Sequence, residues 1–254
     1  MKPDNPVILA LDYNDLQEAR QVVSRVRPHI GMIKIGLELF TAYGREALEM
    51  SSEFTIPVFL DLKLNDVPTT VSKTTSVVCS LLASHPGPHF LSIHCSGGQE
   101  MCKAAMTAAA GSNVTIAGVT VLTSTSERDF GEMGFSDRRP GIRTIDMAMI
   151  GYDCMNDERQ YDPTTHKRIY DGIKHFICAP NQAPLMKQHY EDATLITPGI
   201  RAEGDNTNDH ARTKPVGFAL KNGASWIVVG RPITKATDPR DAALWFEQQA
   251  KKYG

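Results

Sequence analysis

Eight short apolar runs, each closed by turn residues, recur along the whole chain and limit what it can fold into. They are Val7 to Asp12, Met32 to Gly36, Val58 to Lys63, Phe90 to Ser96, Val114 to Ser124, Phe176 to Ala179, Leu195 to Ile200 and Trp226 to Gly230. Little polar alternation interrupts them, which suits parallel strands buried on both faces. Segments of helical spacing lie between. Leu16, Ala19, Val22, Val23 and Val26 fall on one helical face, after an Asn14 cap with Gln17 three residues on. Asp238-Pro239 offers a cap and a first-turn proline to a last helix from Arg240 to Lys252, where Lys251 and Lys252 complement the carboxyl-end dipole. Eight strand-helix units with right-handed crossovers predict an α/β fold, a (β/α)8 TIM barrel, as a single domain over residues 1–254. The 254 residues suffice for one such barrel. A doubly wound open sheet is the runner-up. Thr125 to Lys174 exceeds the loop and single helix that one unit requires, so an excursion is expected at about 125–175. Within it Phe130 to Met155 keeps some helical spacing, whereas Asn156 to His166 is polar and reads as a surface loop.

Charge and cysteine usage exclude several classes. A formal net charge of -2 gives no electrostatic footprint for nucleic acid. No stretch approaches the roughly 18 uninterrupted apolar residues of a membrane span, and Met1 to Pro6 runs straight into Val7 without the apolar core of a secretory leader. A cytoplasmic protein with no membrane or nucleic-acid partner is expected. The five cysteines, Cys79, Cys95, Cys102, Cys154 and Cys178, are odd in number and form no C-x-x-C pair, so reduced thiols are expected. Cys95 and Cys178 lie near the ends of apolar runs, but a small buried hydrophobe is the ordinary role of free cysteine.

Chemistry collects where the runs end. Strand alternation points Asp61 and Lys63 the same way, and Asp66 follows one loop turn later. Pro68 biases Val67 away from helical geometry and suits the first turn of a helix. In a barrel the carboxyl ends of all strands converge, so Asp12, Lys34, Asp61, Lys63, His94, Ser96, Thr123, Ser124, the stretch Pro198 to Arg201, and Gly230-Arg231 become neighbours. Lys34, Asp61, Lys63 and Asp66 have signs that alternate. At about 4 Å each neighbouring pair is worth on the order of 4 kcal/mol at an effective dielectric of 20. Taken singly, the same charges have plainer roles: Asp61 or Asp66 capping a helix, Lys34 extending its ammonium to solvent, Asp12 closing a turn, His94 a satisfied barrel residue. The turns Thr197-Pro198-Gly199-Ile200-Arg201 and Val229-Gly230-Arg231-Pro232 follow strands seven and eight, the usual phosphate site of this barrel. Gly199 and Gly230 admit an anion to the backbone, and Arg231 offers a fork of donors.

The pattern Asp61-x-Lys63-x-x-Asp66-Val-Pro-x-Thr70 resembles the signature of the orotidine 5'-phosphate decarboxylase family. Leu9-Ala10-Leu11-Asp12, Ile33-Lys34-Ile35-Gly36, Thr197 to Arg201 and Val229 to Thr234 resemble its other landmarks in the same order. Related phosphosugar enzymes share the Asp-x-Lys-x-x-Asp core without the Pro-x-x-Thr beside it. The resemblance implies loss of CO2 from orotidine 5'-monophosphate to give uridine 5'-monophosphate, without metal or cofactor, in a homodimer. It implies that Lys63 protonates the pyrimidine C6 carbanion, that Asp61 lies against the departing carboxylate and that Lys34 orients the network. Asp66 and Thr70 would reach into the partner's site, Asp12 would hold ribose and Ser124 the pyrimidine amide edge. Arg231 with the backbone around Gly199 and Gly230 would hold the phosphate, and Pro198 and Arg201 would also contact substrate.

The chain departs from the family pattern at Leu64-Asn65, where an aromatic-histidine pair is commoner, at Glu203, where a glutamine often closes over phosphate, and at Asp209-His210. Three other readings compete. A metal-dependent phosphosugar enzyme would use Asp12, Asp61 and His94 as ligands, but two lysines raise the electrostatic cost of a cation. A Schiff-base aldolase would use Lys63, which flanking aspartates make a poor nucleophile. A nucleotide-binding barrel without turnover rests on the altered loop from Ala202 to Lys214.

Overall fold

The computed structural model describes residues 3–137, 139–155, 172–201 and 214–254, together with the backbone of two short strands, Tyr161–Asp162 and Lys167–Arg168. Eight parallel strands close a barrel: β1 Val7–Leu11, β2 Met32–Gly36, β3 Val58–Leu64, β4 His89–His94, β5 Val114–Val119, β6 His175–Ile177, β7 Thr194–Thr197 and β8 Trp226–Val229. Val7 opposite Ile227 and Leu9 opposite Val229 join β1 to β8, so no edge remains and the open sheet is excluded.

Each expected apolar run overlaps one of these strands, most with ends shifted by a few residues. β5 ends at Val119, and Thr120 just beyond it still holds to β6, its N–H and hydroxyl both donating to the Ile177 carbonyl at 3.2 and 2.8 Å. β7 stops at Thr197; Gly199 then adopts φ +77°, a left-handed conformation that suits glycine, and Ile200–Arg201 pairs separately with Lys214–Pro215. The first helix, Leu16–Val26, is capped by Asp15 and not Asn14: the Asp15 carboxylate accepts the N–H groups of Gln17 and Glu18 at 2.7 and 2.9 Å. The last helix, Pro239–Tyr253, has the expected Asp238 cap, accepting from Arg240 N–H at 2.8 Å.

Within the segment at 125–175, the described residues 126–137 and 139–152 include two helices. Ser126 and Asp129 form a capping box for a short helix, Glu127–Glu132, and a second helix, Pro140–Tyr152, buries Thr144, Ala148 and Tyr152 against the barrel. That second helix is the crossover between β5 and β6. Of the stretch Asn156 to His166, only the backbone of Tyr161–Asp162 lies within the described residues.

Period-two alternation divides the interior. Val7, Leu9 and Leu11 of β1, Ile33 and Ile35 of β2, and Val58 and Leu60 of β3 face the helices. Ile8 and Ala10, Met32, Phe59, Phe90, Ala117 and Val119, Ile177, Ile196 and Val228 face inward. Phe90 lies edge-on to Phe59 at 6.1 Å and to Trp226 at 5.7 Å, which fills the lower barrel. Continuing the inward parity upward gives Asp12 after Ala10, Lys34 after Met32, Asp61 after Phe59 and Ser92 after Phe90. A rule of alternation thus carries four polar residues to the carboxyl-end mouth. Among the described residues, no helix is long and apolar enough to cross a membrane.

One inward group sets an acid limit on the fold. His175, at the foot of β6, lies tilted against Phe90 at 5.3 Å, and burial pushes its imidazole from the usual 6.5 down to about 4. The unfolded chain takes up a proton near pH 6.5 that the fold refuses until about pH 4, so stability falls with pH across that window. His175→Gln, which cannot titrate, should abolish about 2 kcal/mol of the stability loss between pH 7 and pH 5, measured from urea unfolding curves at the two values.

Candidate active site

Four charged side chains form one chain of contacts across the barrel mouth. Lys34 Nζ lies 3.3 Å from Asp12 Oδ1 and 3.6 Å from Asp61 Oδ2, and Lys63 Nζ donates to the same Asp61 Oδ2 at 2.8 Å. Gly36 leaves room for this, since a Cβ there would stand 2.9 Å from the Lys34 ammonium. Asp61 is only 7% exposed. Its burial works against the charged form, but Lys34, Lys63 and the hydrogen bonds from Lys63 and Ser92 outweigh that and hold the carboxyl below the ordinary carboxylate range. His94, at the end of β4, is pushed down by burial and then by the Lys63 charge, which favours its neutral form.

The alternation expected among Lys34, Asp61, Lys63 and Asp66 holds for the first three; the fourth member is Asp12. Asp66 is exposed, and its carboxylate accepts the neighbouring Val67 N–H at 2.7 Å. Thr70 is also exposed, in the first turn of the helix Pro68–Leu82.

Lys63 does not arrive by simple strand alternation. Leu60 pairs with Leu91 and Leu64 with Ile93, so four steps along β3 match two along β4, a bulge of two residues. At its centre Lys63 has φ +51°, a left-handed conformation that costs a lysine on the order of 1–3 kcal/mol and is characteristic of functional sites. Ser92 closes the gap across the strands. Its hydroxyl accepts the Lys63 N–H at 2.8 Å and donates to Asp61 Oδ1 at 2.9 Å. Ser92 escapes the sequence reading because it lies in the middle of an apolar run; its parity with Phe90 and His94 is the signal that finds it.

Beneath the charges is a cavity of about 190 Å³. Lys34, Asp61 and Lys63 line one side; Phe59, Ile177 and Val228 form an apolar floor, and Val121, Thr123 and Pro198 a wall. A polar head over an apolar floor suits a flat, partly polar ligand. Ser124 is exposed beside Thr123. Cys178 also lines the cavity, but burial pushes its thiol up to about 12, which disfavours the nucleophilic thiolate. Cys95, Cys102 and Cys154 are buried outside the barrel proper. A larger groove of about 560 Å³ between Arg45, Glu49, Ser76 and His85 lies on the outer helices, away from the charged network.

Gly230 and Arg231 follow β8 at the same mouth: a Cβ at Gly230 would lie 3.5 Å from Asp12 Oδ2, and Arg231 is exposed. Arg201 reaches back to the Ile200 carbonyl at 3.2 Å. Glu203 and Asp209-His210 lie outside the described residues. Among the described residues no group of three His, Cys, Asp or Glu side chains has metal-holding geometry; Asp12 and Asp61 are bridged by Lys34 and do not converge with His94 on one point.

Residues 5–245 match the family described as orotidine 5'-phosphate decarboxylase / HUMPS. The chain is 36% identical over 237 residues to an orotidine 5'-phosphate decarboxylase from Ehrlichia chaffeensis, covering 92% of each chain. It is 34% identical over 247 residues to that of Nitrosomonas eutropha, covering 97% of each. The crystal structure of orotidine 5'-phosphate decarboxylase from Lactobacillus acidophilus superposes with a TM-score of 0.75 at 27% identity, covering 97% of this chain and 99% of that one.

Proposed function

This chain belongs to the orotidine 5'-phosphate decarboxylase / HUMPS family, and from that premise we propose that it converts orotidine 5'-monophosphate to uridine 5'-monophosphate and CO2 in pyrimidine biosynthesis. The observation that carries this reading is the ammonium of Lys63 held 2.8 Å from a buried carboxylate, with Lys34 on the carboxylate's other side, above an apolar floor. Decarboxylation breaks the C6–carboxyl bond and leaves its electron pair on carbon. A cation already fixed at that point stabilises the developing charge without reorganisation, and the same ammonium supplies the proton that completes the product. Asp61 faces the departing carboxylate, and Lys34 orients Asp61 and the ribose side. Two lysines beside Asp61 disfavour a divalent cation there, so the chemistry proceeds on protein charges without metal or cofactor.

The remaining roles follow the family resemblance. Asp12 holds ribose, Ser124 the pyrimidine amide edge, Pro198 and Arg201 contact substrate, and Arg231 with the backbone around Gly199 and Gly230 takes the 5'-phosphate, remote from the reacting carbon, so that its binding energy helps assemble the network. Residues 1–254 act as one catalytic domain in the cytoplasm. The enzyme is a homodimer in which Asp66 and Thr70 complete the partner's site. Their exposure supports this, as does that of Val67 next to Asp66, an apolar side chain left 63% exposed.

The direct test is the fall in pyrimidine absorbance on mixing protein with orotidine 5'-monophosphate and chelator; a flat trace sinks the assignment. The dimer has its own test. Lys63→Ala and Asp66→Asn homodimers should each be nearly inert, yet mixing them under exchange conditions should restore about a quarter of wild-type activity. Half the dimers become hybrids, each with one intact site. Absence of recovery in verified hybrids refutes a shared site.

A further inference from the structure

We propose that Ser92 is a positioning residue of this site, its buried hydroxyl fixing the orientation of Asp61 and bracing the bulge that aims Lys63. The inference rests on the decarboxylase reading above. Ser92 is fully buried on β4, and its two contacts leave its hydroxyl no choice of direction. A backbone N–H can only donate and a carboxylate can only accept. The single Ser92 proton therefore goes to Asp61 Oδ1 at 2.9 Å, and an oxygen lone pair receives the Lys63 N–H at 2.8 Å.

Two consequences follow for the reacting groups. With Oδ1 engaged, Asp61 turns Oδ2 toward both ammonium groups, Lys63 at 2.8 Å and Lys34 at 3.6 Å. Without Ser92, either oxygen can face them and the carboxylate gains rotational freedom. The second consequence concerns the backbone: between Leu60 and Leu64 the ladder to β4 is out of register, and the Ser92 contact ties the left-handed Lys63 to the barrel there. An alanine leaves that N–H unpaired beside a strained residue. The groups facing Asp61 are Lys34 from β2, Lys63 from its own strand, and Ser92 and His94 from β4, with Asp12 of the β1 end reached through Lys34.

Ser92→Ala should lower kcat by about 10- to 100-fold, the span of a lost hydrogen bond to a charged group, with KM within about threefold of wild type. The acid limb of kcat should move to higher pH, since the carboxylate loses a donor that favours its charged form. Ser92→Thr, which keeps the hydroxyl, should recover most of the loss. If Ser92→Ala does not fold, the near-isosteric Ser92→Cys takes its place with the same expected direction. Carboxyl carbon NMR titration of Asp61 in wild type and variant gives a readout independent of turnover. A kcat within threefold of wild type, or a loss that leaves the acid limb and the Asp61 titration unmoved, overturns the proposal. Wild-type protein inert toward orotidine 5'-monophosphate sinks the decarboxylase reading instead, while the NMR titration still decides whether Ser92 holds Asp61.

Discussion

Lys63→Ala is expected to retain less than about one part in 10⁴ of wild-type kcat while keeping the fold. Two losses multiply. A positioned proton donor contributes typically 10²–10⁴-fold, and a preorganised charge aimed at a developing anion about 10²–10³-fold. The fold survives because Lys63 is 30% exposed at its side chain, and Asp61 keeps Lys34 and Ser92 as partners when Lys63 is gone. Alanine also inherits φ +51° without a new backbone penalty, since both residues carry a Cβ in that conformation. The comparison is best made by single-turnover absorbance, with circular dichroism to verify folding. A residual rate within 10²-fold of wild type moves the proton donor elsewhere.

The barrel was legible because its signal is repeated eight times and each repetition is local. The site was legible where strand parity alone positions a residue, as for Asp12, Lys34 and Asp61, which continue the inward series Ala10, Met32 and Phe59. Lys63 illustrates the limit. Alternation points it to the correct side, but the two-residue bulge and left-handed backbone that deliver it arise from pairing between β3 and β4, which no single strand encodes. Asp66 shows the complementary limit: read as a fourth member of the charge chain, it is exposed and accepts the Val67 N–H, and Asp12 takes that place. Ser92 was invisible for a third reason, because one hydroxyl in an apolar run is indistinguishable from a small core residue until its partners are known. The cap at Asp15 in place of Asn14 is a tie between two good capping residues, decided by one residue of chain geometry.

Asp61→Asn should lower kcat by at least about 10³-fold without raising KM, a split that separates its role from substrate binding. A carboxylate against the departing carboxylate contributes nothing favourable to ground-state affinity, so its neutral isostere leaves KM unchanged or lower. The rate falls because the anion that aligns the two ammonium groups is gone. The same substitution should destabilise the fold at pH 7 by about 3 kcal/mol, the low end of the span for removing one partner of a buried pair, since Lys63 loses its carboxylate while Lys34 keeps Asp12. That penalty must depend on pH with a definite sign. The folded-state carboxyl lies below the ordinary 3.8, so its stabilising contribution is fully present above that value and is lost as pH falls through the lower folded one. Wild type and Asp61→Asn should therefore differ in urea midpoint at pH 7 and converge as the solution is acidified below pH 3.8, the His175 contribution being common to both. A gap that stays constant down to the acid transition would mean that Asp61 carries the same charge state folded and unfolded, and would remove the electrostatic basis for assigning it to the reacting end of the site.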